Sequence, residues 1–346
     1  MTNRNLSQCV LEISDLHVKF PIYGGADIEA LRDVSLKLTE GEVLGLVGES
    51  GSGKTVLARS IMGLVPPPGK VTQGSILFCG KDLSLLSKDN LRTIRGREIS
   101  MIIPNPRSEL NPLFRVGRQI AQVAKYHLDI PWKDAEKMAM EMLEEVAIHD
   151  PKRRFKAFPH ELSGGMAQRI VMANALICSP KLIISDDATS GLDVTVQAQV
   201  LNLMRRLVKD FNTSTLFITR DIGVTAHFCD RIAIIYAGEI VEVAGVKEFF
   251  LNPCHPYSIM LLAAFSHNPD LRKQWSKGGT RFKRREAGEF CSFVPRCVIA
   301  KSECRERERP RLDLIGRDHY VRCYFPVKRE TNAVIGNKRS RKTFSN

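Results

Sequence analysis

The chain has 346 residues, of which 43% are hydrophobic and 26% charged, a composition typical of a soluble globular protein with more than one domain. No apolar run approaches the roughly 20 residues that span a bilayer, and the N-terminus lacks the pattern of a signal peptide. The formal net charge of +13 suits nucleic acid or an anionic membrane surface, but no basic patch is interleaved with aromatic residues. We therefore predict a cytoplasmic protein that does not bind nucleic acid.

The positive charge is concentrated in two late stretches, "KGGTRFKRRE" (277–286) and "KRETNAVIGNKRSRKTFSN" (328–346). Runs of like charge are usually solvated. We predict that residues 328–346 form a basic, disordered tail.

The N-terminal part of the chain predicts two strands, a buried strand and a helix. Residues 10–20 and 31–38 alternate apolar and polar side chains, as half-buried strands do. The run "GEVLGLVGES" (41–50) is continuously apolar until it breaks into glycines. From Thr55, helical spacing continues as far as "PPPG" (66–69).

The remaining chain alternates helices with short apolar strands. In order, the pattern predicts a helical stretch over 116–150, a strand over 181–186, a helix over about 194–210, a strand over 214–219 and a hairpin over 230–245. Pro151 marks the end of the helical stretch, and Ala237–Gly238 form the hairpin turn. This alternation predicts an α/β fold with a mostly parallel sheet covered by helices.

The segment "GESGSGKT" (48–55) matches G-x-x-x-x-G-K-[ST] between a predicted strand and a predicted helix. Glycines allow backbone N–H groups to surround phosphate oxygens, and the helix N-terminus favours an anion. Lys54 reaches the β- and γ-phosphates, and the Thr55 hydroxyl is a ligand for Mg²⁺. The sequence therefore predicts a nucleotide site. Its loop residues are Gly48, Glu49, Ser50, Gly51, Ser52, Gly53, Lys54, Thr55 and Val56.

Two adjacent acids end the apolar run "LIISDD" (182–187). A buried strand that delivers carboxylates to its C-terminal end is typical of metal and phosphate sites in open α/β sheets. Asp186 is the predicted partner of Thr55 in binding Mg²⁺. Asp187 follows it directly and is a candidate base.

Nine cysteines in a cytosolic chain argue against a disulfide framework. Four of them cluster near the end with the spacing C-x5-C-x6-C-x18-C, which points to a metal site. Four thiolates suit tetrahedral Zn²⁺ or a [4Fe–4S] cluster, and free buried thiols are the remaining alternative. The four are Cys291, Cys297, Cys304 and Cys323.

The segment "ELSGGMAQRIVMANAL" (161–176) resembles the signature motif of ABC transporter ATPases, and "SGLD" (190–193) resembles their D-loop. The motifs also follow the order of that family. The resemblance implies that the signature contacts the γ-phosphate of ATP held by the opposite subunit. The signature residues are Leu162, Ser163, Gly164, Gly165 and Met166, and Asp193 belongs to the D-loop.

Further segments resemble the branch that imports oligopeptides, dipeptides or nickel. They are "LNPLFRVGRQI" (110–120), "LDVTVQAQVL" (192–201), "NPCHPYS" (252–258) and the cysteine-bearing ending at 291–326. The resemblance implies an ABC-type P-loop NTPase with a RecA-like core, an antiparallel β subdomain, a helical subdomain and a small C-terminal cysteine-bearing domain. The predicted boundaries are 9–262 for the ATPase domain, about 104–175 for its helical subdomain, 263–327 for the C-terminal extension and 328–346 for the tail.

The branch also implies cofactors and partners. ATP and Mg²⁺ bind the phosphate loop, and the four thiolates hold a [4Fe–4S] cluster, with Zn²⁺ as the alternative. The partners are a second ABC ATPase, two transmembrane permease subunits and an extracytoplasmic solute-binding protein, at the cytoplasmic face of the cell membrane. Residues 104–120 contribute to the groove that receives a permease helix. An aromatic ring near the end of the first strand stacks on adenine, and Tyr23 is preferred to Phe20.

The sequence departs from the family at three catalytic positions. Asp187 stands where a glutamate normally acts as general base, and Ala188 replaces the following proline. Arg220 stands at the switch histidine, although a guanidinium has no acceptor atom. Pro104 stands at the Q-loop glutamine and offers no side-chain oxygen. Together these changes predict a degenerate site in which Asp186 holds Mg²⁺ and Asp187 is a weak base at best.

Because the sites of this family are composite, an intact signature still completes a partner's hydrolytic site. We therefore predict a heterodimer with a second ATPase, in which this chain holds ATP–Mg at an impaired site. The alternative is a non-transport or regulatory nucleotide-binding ABC protein.

Overall fold

The computed structural model describes residues 8–265, 269–276 and 290–327, so the basic stretch 277–286 and the predicted tail 328–346 lie outside the described residues. No described helix combines the length and apolar character needed to cross a membrane. The strands run over β1 Cys9–Phe20, β2 Ile28–Thr39, β3 Val43–Val47, β4 Lys70–Phe78, β5 Lys81–Asp82, β6 Ile99–Ile102, β7 Leu182–Asp186, β8 Ser214–Thr219, β9 Arg231–Tyr236, β10 Glu239–Gly245, β11 Asp313–Gly316 and β12 His319–Val321.

The helices connect these strands and cover the larger of two sheets. They run over α1 Lys54–Ile61, α2 Lys88–Ile94, α3 Pro106–Glu109, α4 Val116–Leu128, α5 Trp132–Glu145, α6 Pro151–Phe155, α7 Gly164–Leu176, α8 Val194–Asp210, α9 Ile222–Phe228, α10 Val246–Leu251, α11 Pro256–Phe265, α12 Pro269–Ser276 and α13 Glu303–Glu306.

The larger sheet has eight strands in the order β11-β12-β10-β9-β3-β8-β7-β6. The strands from β9 to β6 in this order are parallel neighbours, whereas β10, β12 and β11 are joined antiparallel. Every residue of β3, β7 and β8 is buried, which explains their continuous apolar runs in the sequence. Because parallel strands end at one edge, the loops after β3, β6, β7 and β8 are brought together.

The smaller sheet is antiparallel, with four strands in the order β2-β1-β4-β5. One face of it packs on α1 and on the larger sheet, where Leu16, Leu46 and Leu57 share one apolar cluster. Its other face is polar, which explains the alternating pattern of β1. Strand β4 was not predicted, because its first five residues are exposed and carry no apolar alternation.

Helices α3 to α7 lie between β6 and β7 in the chain. Buried residues of α4, α5 and α7, including Ile120, Leu143 and Ile170, form a second apolar cluster with the other face of the larger sheet. This cluster fixes the start of α7 relative to the strand ends.

The prediction of one helical stretch over 116–150 is wrong in detail. The stretch contains two helices, because Asp129 has a φ of 52°, in the left-handed region, and ends α4. Pro131 then caps α5, since proline is tolerated where a helix begins but not in its interior. Pro151 is likewise the first residue of α6 rather than only the end of a helix.

Helix α1 is shorter than its apolar spacing predicts. It ends at Ile61, and Gly63 follows with a φ of 60°. The Gly63 N–H donates to the Ser60 carbonyl at 3.0 Å, and the Leu64 N–H donates to the Arg59 carbonyl at 2.7 Å. This Schellman arrangement satisfies the last carbonyls and ends the helix before the prolines.

The cysteine-bearing C-terminal segment is joined to the larger sheet, where β12 pairs with β10. The buried Arg322 donates to the Asp33 carboxylate at 2.9 Å and to the Asp33 carbonyl at 3.0 Å, and so reaches the smaller sheet. The buried Glu242 accepts the His255 N–H at 2.9 Å and lies 2.8 Å from His319 Nε2. The predicted fold class, an α/β P-loop core with antiparallel, helical and cysteine-bearing parts, is confirmed.

Candidate nucleotide site

The predicted site residues meet at the carboxyl edge of the parallel strands. The register at this edge pairs Val47 with Thr219, Ile218 with Asp186, and Ser185 with Ile102. The strand ends are therefore level, and the loops that leave them face one another. Asp186 ends β7, and the loops contain the phosphate loop, Asp187, Arg220 and Pro104.

The phosphate loop adopts a conformation that depends on its glycines. Gly51 and Gly53 have φ values of 80° and 113°, which L side chains rarely adopt. A Cβ atom on Gly48 would lie 2.3 Å from the carbonyl oxygen of Ile235, so only glycine fits beside β9. Helix α1 begins at Lys54, directly after the loop. Its N-terminus places free N–H groups and a positive dipole end where an anion binds.

Lys54 lies inside the loop and is only 8% exposed. Its Nζ donates to the carbonyl oxygens of Gly48 at 2.8 Å and Glu49 at 2.9 Å. Burial lowers the pKa of Lys54 to about 8, although the nearby Asp187 and Asp186 oppose this shift. The ammonium is thus held in place before nucleotide binds, and phosphate oxygens can replace the loop carbonyls around it.

We expect the affinity for ATP–Mg to depend on the protonation of Lys54. Binding needs the ammonium form, which is complete below the pKa of about 8 and is lost as the pH rises through it. The dissociation constant, measured by titration calorimetry from about pH 6.5 to about pH 9.5, should be flat and then rise about tenfold per pH unit. Lys54→Arg stays charged over this range and is the control. A wild-type affinity as flat as that of Lys54→Arg would contradict the assignment.

Thr55 and Asp186 lie together beside the phosphate loop. The Thr55 hydroxyl hydrogen-bonds to the Asp186 carboxylate at the end of β7, and burial raises the pKa of that carboxyl despite this bond. A buried carboxylate next to a hydroxyl at the phosphate site supplies the oxygen ligands that Mg²⁺ prefers. These two residues fit the predicted Mg²⁺ site.

Asp187 and Arg220, at two of the predicted catalytic positions, form an ion pair. Arg220 Nε and one terminal nitrogen each lie 3.0 Å from the same Asp187 carboxylate oxygen. The Arg220 side chain is 58% exposed, and exposed pairs of this kind contribute only about 0–1 kcal/mol to stability. The guanidinium thus hydrogen-bonds to the carboxylate that the sequence predicts as the base.

Pro104 lies in the loop between β6 and α3, before Asn105, which has a φ of 66°. Its ring offers no oxygen to a metal ion or a water molecule. The third predicted departure thus lies at the same edge as the ion pair.

The two aromatic candidates for adenine stacking differ in their surroundings. Tyr23 is fully exposed in the loop after β1. Phe20 packs so closely on Gly69 that a Cβ there would lie 2.4 Å from its ring. This packing favours Tyr23, which stays a prediction.

The signature residues span the start of α7, with Leu162 and Ser163 before it and Gly164, Gly165 and Met166 in its first turn. Ser163 caps this helix, with its Oγ accepting the Met166 N–H at 3.3 Å. Asp193 caps α8 in the same way, accepting the Val196 N–H at 2.9 Å. A Cβ on Gly165 would lie 2.8 Å from Val196 Cγ1, so the two helix starts are packed together. Because the two signature glycines have no side chains, the N–H groups at the start of α7 are accessible to a phosphate.

Two contacts to the phosphate loop come from residues that sequence reasoning missed. The Glu49 N–H donates to the Tyr257 hydroxyl at 3.0 Å. Arg296 donates to both oxygens of the Glu49 carboxylate, at 2.8 and 2.9 Å. The segment "NPCHPYS" (252–258) contains Tyr257, but its residues gave no signal of this contact.

The four clustered cysteines are all free thiols. Burial, with a smaller contribution from the neighbouring thiols, raises the pKa of Cys291 to about 11 and of Cys323 to about 12. They therefore lie close enough to interact electrostatically. Within the described residues, the group whose three ligand atoms all lie within 4.8 Å of one another is Glu242, Cys254 and His319, so no three of the four sulfurs are this close together.

Backbone N–H groups point at three of these sulfurs. Cys291 accepts from Phe293, Cys297 from Ile299, and Cys323 from Phe325. Such bonds stabilise thiolates, and hydrogen bonds to the sulfurs adjust the properties of thiolate-bound metals and clusters. The donor set thus fits a metal or cluster that binds the deprotonated cysteines.

Three features together define an ATP-binding cassette. They are the phosphate loop at the N-terminus of α1, the aspartate at the end of β7 beside the Thr55 hydroxyl, and the capped, glycine-containing start of α7. The ABC transporter family profile matches residues 31–190, and the profile described as "Oligopeptide/dipeptide transporter, C-terminal region" matches residues 241–304. The chain belongs to the ATP-binding subunits of the ABC transporter family, in the branch that carries this C-terminal region. As a member, it uses ATP and Mg²⁺.

Relatives of known name support this membership. The chain is 41% identical over 331 residues to the dipeptide transport ATP-binding protein DppD of Bacillus subtilis, covering 94% of this chain and 97% of that protein. It is 50% identical over 256 residues to the oligopeptide transport ATP-binding protein OppD of the same organism, covering 74% of this chain and 71% of that protein. A dimeric ATP-binding cassette bound to ADP and phosphate has a TM-score of 0.61 at 26% identity, covering 68% of this chain and 98% of that chain.

Proposed function

We propose that this chain is the ATP-binding subunit of a membrane importer for peptides or a related small solute. The names of its relatives, dipeptide and oligopeptide transport ATP-binding proteins, support this solute class. Its partners are two transmembrane permease subunits and an extracytoplasmic solute-binding protein, and it lies at the cytoplasmic face of the membrane.

Within that importer, this chain's own site mainly holds ATP–Mg. The observation that supports this most directly is the Asp187–Arg220 ion pair, which engages the only carboxylate at the general-base position. Asp187 is also about 1.5 Å shorter than the glutamate it replaces, and a misplacement of that size costs on the order of a hundredfold in rate. The loop, Lys54, Thr55 and Asp186 remain suited to binding.

The signature of this chain serves a different site. Because ABC sites combine the phosphate loop of one subunit with the signature of the other, the capped start of α7 completes the site of a second, related ATPase. That partner supplies the hydrolytic phosphate loop. A heterodimer therefore gives one holding site and one hydrolytic site, whereas a homodimer would contain two impaired sites.

The four cysteines hold a [4Fe–4S] cluster in this proposal. Each thiolate of such a cluster binds a different iron atom, so the sulfurs lie further apart than around a single Zn²⁺. At a Zn–S distance of about 2.3 Å, tetrahedral geometry places zinc-bound sulfurs about 3.8 Å apart. No three of the four sulfurs lie within 4.8 Å of one another, which suits the larger spacing of a cluster, and their backbone N–H donors suit bound thiolates. Its role is structural, since it supplies rigidity by joining four distant positions of the segment.

The test is ATP turnover of the reconstituted complex. Lys54→Ala in this chain is expected to leave at least about half of the turnover, since its site contributes little hydrolysis. The equivalent lysine change in the partner ATPase is expected to lower turnover about a hundredfold, by removing charge stabilisation at the hydrolytic site.

The matched control is Lys88→Ala, at an exposed lysine of this chain, which should leave the ATP turnover of the complex unchanged. Equal losses from the two phosphate-loop changes would mean that Asp187 and Arg220 are working parts of a second hydrolytic site. Turnover of the isolated chain at the rate of the complex would instead indicate a nucleotide-binding ABC protein that works without a transporter.

A further inference from the structure

Glu49 is the second residue of the phosphate loop, and each of its polar groups has a different partner. Its N–H donates to Tyr257, and its carbonyl accepts from Lys54 Nζ at 2.9 Å. Its carboxylate receives two parallel hydrogen bonds from Arg296, at 2.8 and 2.9 Å. Glu49 thus connects the lysine that binds phosphate to a residue 247 positions away.

Arg296 is held in one geometry by its surroundings. Its side chain is only 12% exposed, and its guanidinium lies over the rings of Tyr236 and Phe293, 5.7 and 5.9 Å from their centroids. A terminal nitrogen also lies 3.6 Å from the Met260 sulfur. A planar guanidinium placed over aromatic rings and matched to a carboxylate fixes both position and charge, which a lysine could not do as well.

The same arginine belongs to the four-cysteine segment. It ends the 3₁₀ turn Val294–Arg296, and Cys297 follows directly. The Val294 N–H donates to the Cys291 carbonyl, and the Cys297 N–H donates to the Val294 carbonyl, at 3.1 and 3.2 Å. The turn is therefore closed between two of the clustered cysteines, and whatever fixes their positions also fixes Arg296.

We propose that Arg296 is a positioning residue for the phosphate loop, through which the state of the four-cysteine segment sets the affinity for ATP. Its guanidinium holds Glu49 in place and neutralises a carboxylate that would otherwise repel the nucleotide phosphates. Loss of order around Cys291 and Cys297 releases Arg296 and leaves that charge uncompensated. The proposal rests on the proposed function, because it concerns the same nucleotide site.

The first measurement is the dissociation constant of the full chain for a fluorescent N-methylanthraniloyl ATP with Mg²⁺. Arg296→Met keeps an unbranched side chain against the rings, and it is expected to weaken binding about tenfold. Adding Glu49→Gln should restore the affinity to within about threefold of the Glu49→Gln single variant, because no carboxylate then remains to be neutralised. The exposed Arg305→Met, also next to a clustered cysteine, is the control and should bind as the wild type does.

The second measurement tests the link to the cysteines. Cys297→Ser is expected to weaken binding several-fold in the wild type but to have no further effect in Arg296→Met. Iron, sulfide and zinc contents and melting temperatures are measured on each preparation, and the equally neutral Arg296→Gln replaces Arg296→Met if the latter does not fold. Unchanged affinity in the Arg296 variant, or losses that multiply in the Cys297→Ser double variant, would overturn the proposal. If the wild-type chain did not bind the fluorescent ATP, or if Lys54→Ala bound it as tightly as the wild type does, the result would instead count against the nucleotide site itself.

Discussion

Replacing Gly164 by aspartate is expected to lower the ATP turnover of the assembled complex about a hundredfold, while this chain's own phosphate loop binds ATP as before. Gly164 is the first residue of α7, next to the Ser163 cap. In the proposed heterodimer this helix start lies against the γ-phosphate held by the partner. A carboxylate there opposes both the helix dipole and the nucleotide charge.

The position also allows a clean control. A Cβ on Gly164 would approach Leu192 Cδ2 only to 3.7 Å, an ordinary contact, so a side chain fits without displacing the backbone. Gly164→Asn has the size of aspartate without its charge and should cost no more than about tenfold. The informative comparison is therefore aspartate against asparagine, measured as steady-state phosphate release. Similar turnover for both variants would mean that the signature does not face a phosphate.

Much of this site could be predicted because its elements are local in sequence. The apolar runs before Gly48 and Asp186 mark buried parallel strands, and such strands place their following loops at one edge of the sheet. The glycine pattern and Lys54 then define a phosphate loop without any long-range information. For the same reason the hairpin turn at Ala237–Gly238 was correctly predicted, since both residues have positive φ values of 51° and 87°.

Contacts between distant residues could not be predicted from those patterns. Arg220 and Asp187 were each recognised as departures, but their mutual hydrogen bond joins side chains 33 positions apart. Arg296 and Glu49 are further apart in the sequence still. The chain has many other charged residues, and the sequence pattern does not indicate which of them pair. Strand β6 was missed because its four residues are too few to establish a period. These contacts follow from the fold rather than from local propensity.

The second large effect is a gain of activity. We expect the triple variant Pro104→Gln, Asp187→Glu, Arg220→His to raise ATP hydrolysis at this chain's own site about a hundredfold. The assay uses a complex whose partner carries an inactivating change at its phosphate-loop lysine, so that only this site is scored. Adding Lys54→Ala should abolish the gain.

The ion pair predicts the order in which the single changes act. Asp187→Glu alone should raise hydrolysis only slightly, because Arg220 still hydrogen-bonds to the lengthened carboxylate and keeps it from the attacking water. Arg220→His frees the carboxylate and supplies a ring nitrogen that accepts a hydrogen bond from water, so it should be the first change that helps. Since the exposed pair adds little stability, none of these variants should lower the melting temperature appreciably. A triple variant no faster than the wild type would place the defect elsewhere, whereas a wild type that already matches it would make Asp187 and Arg220 a functional pair.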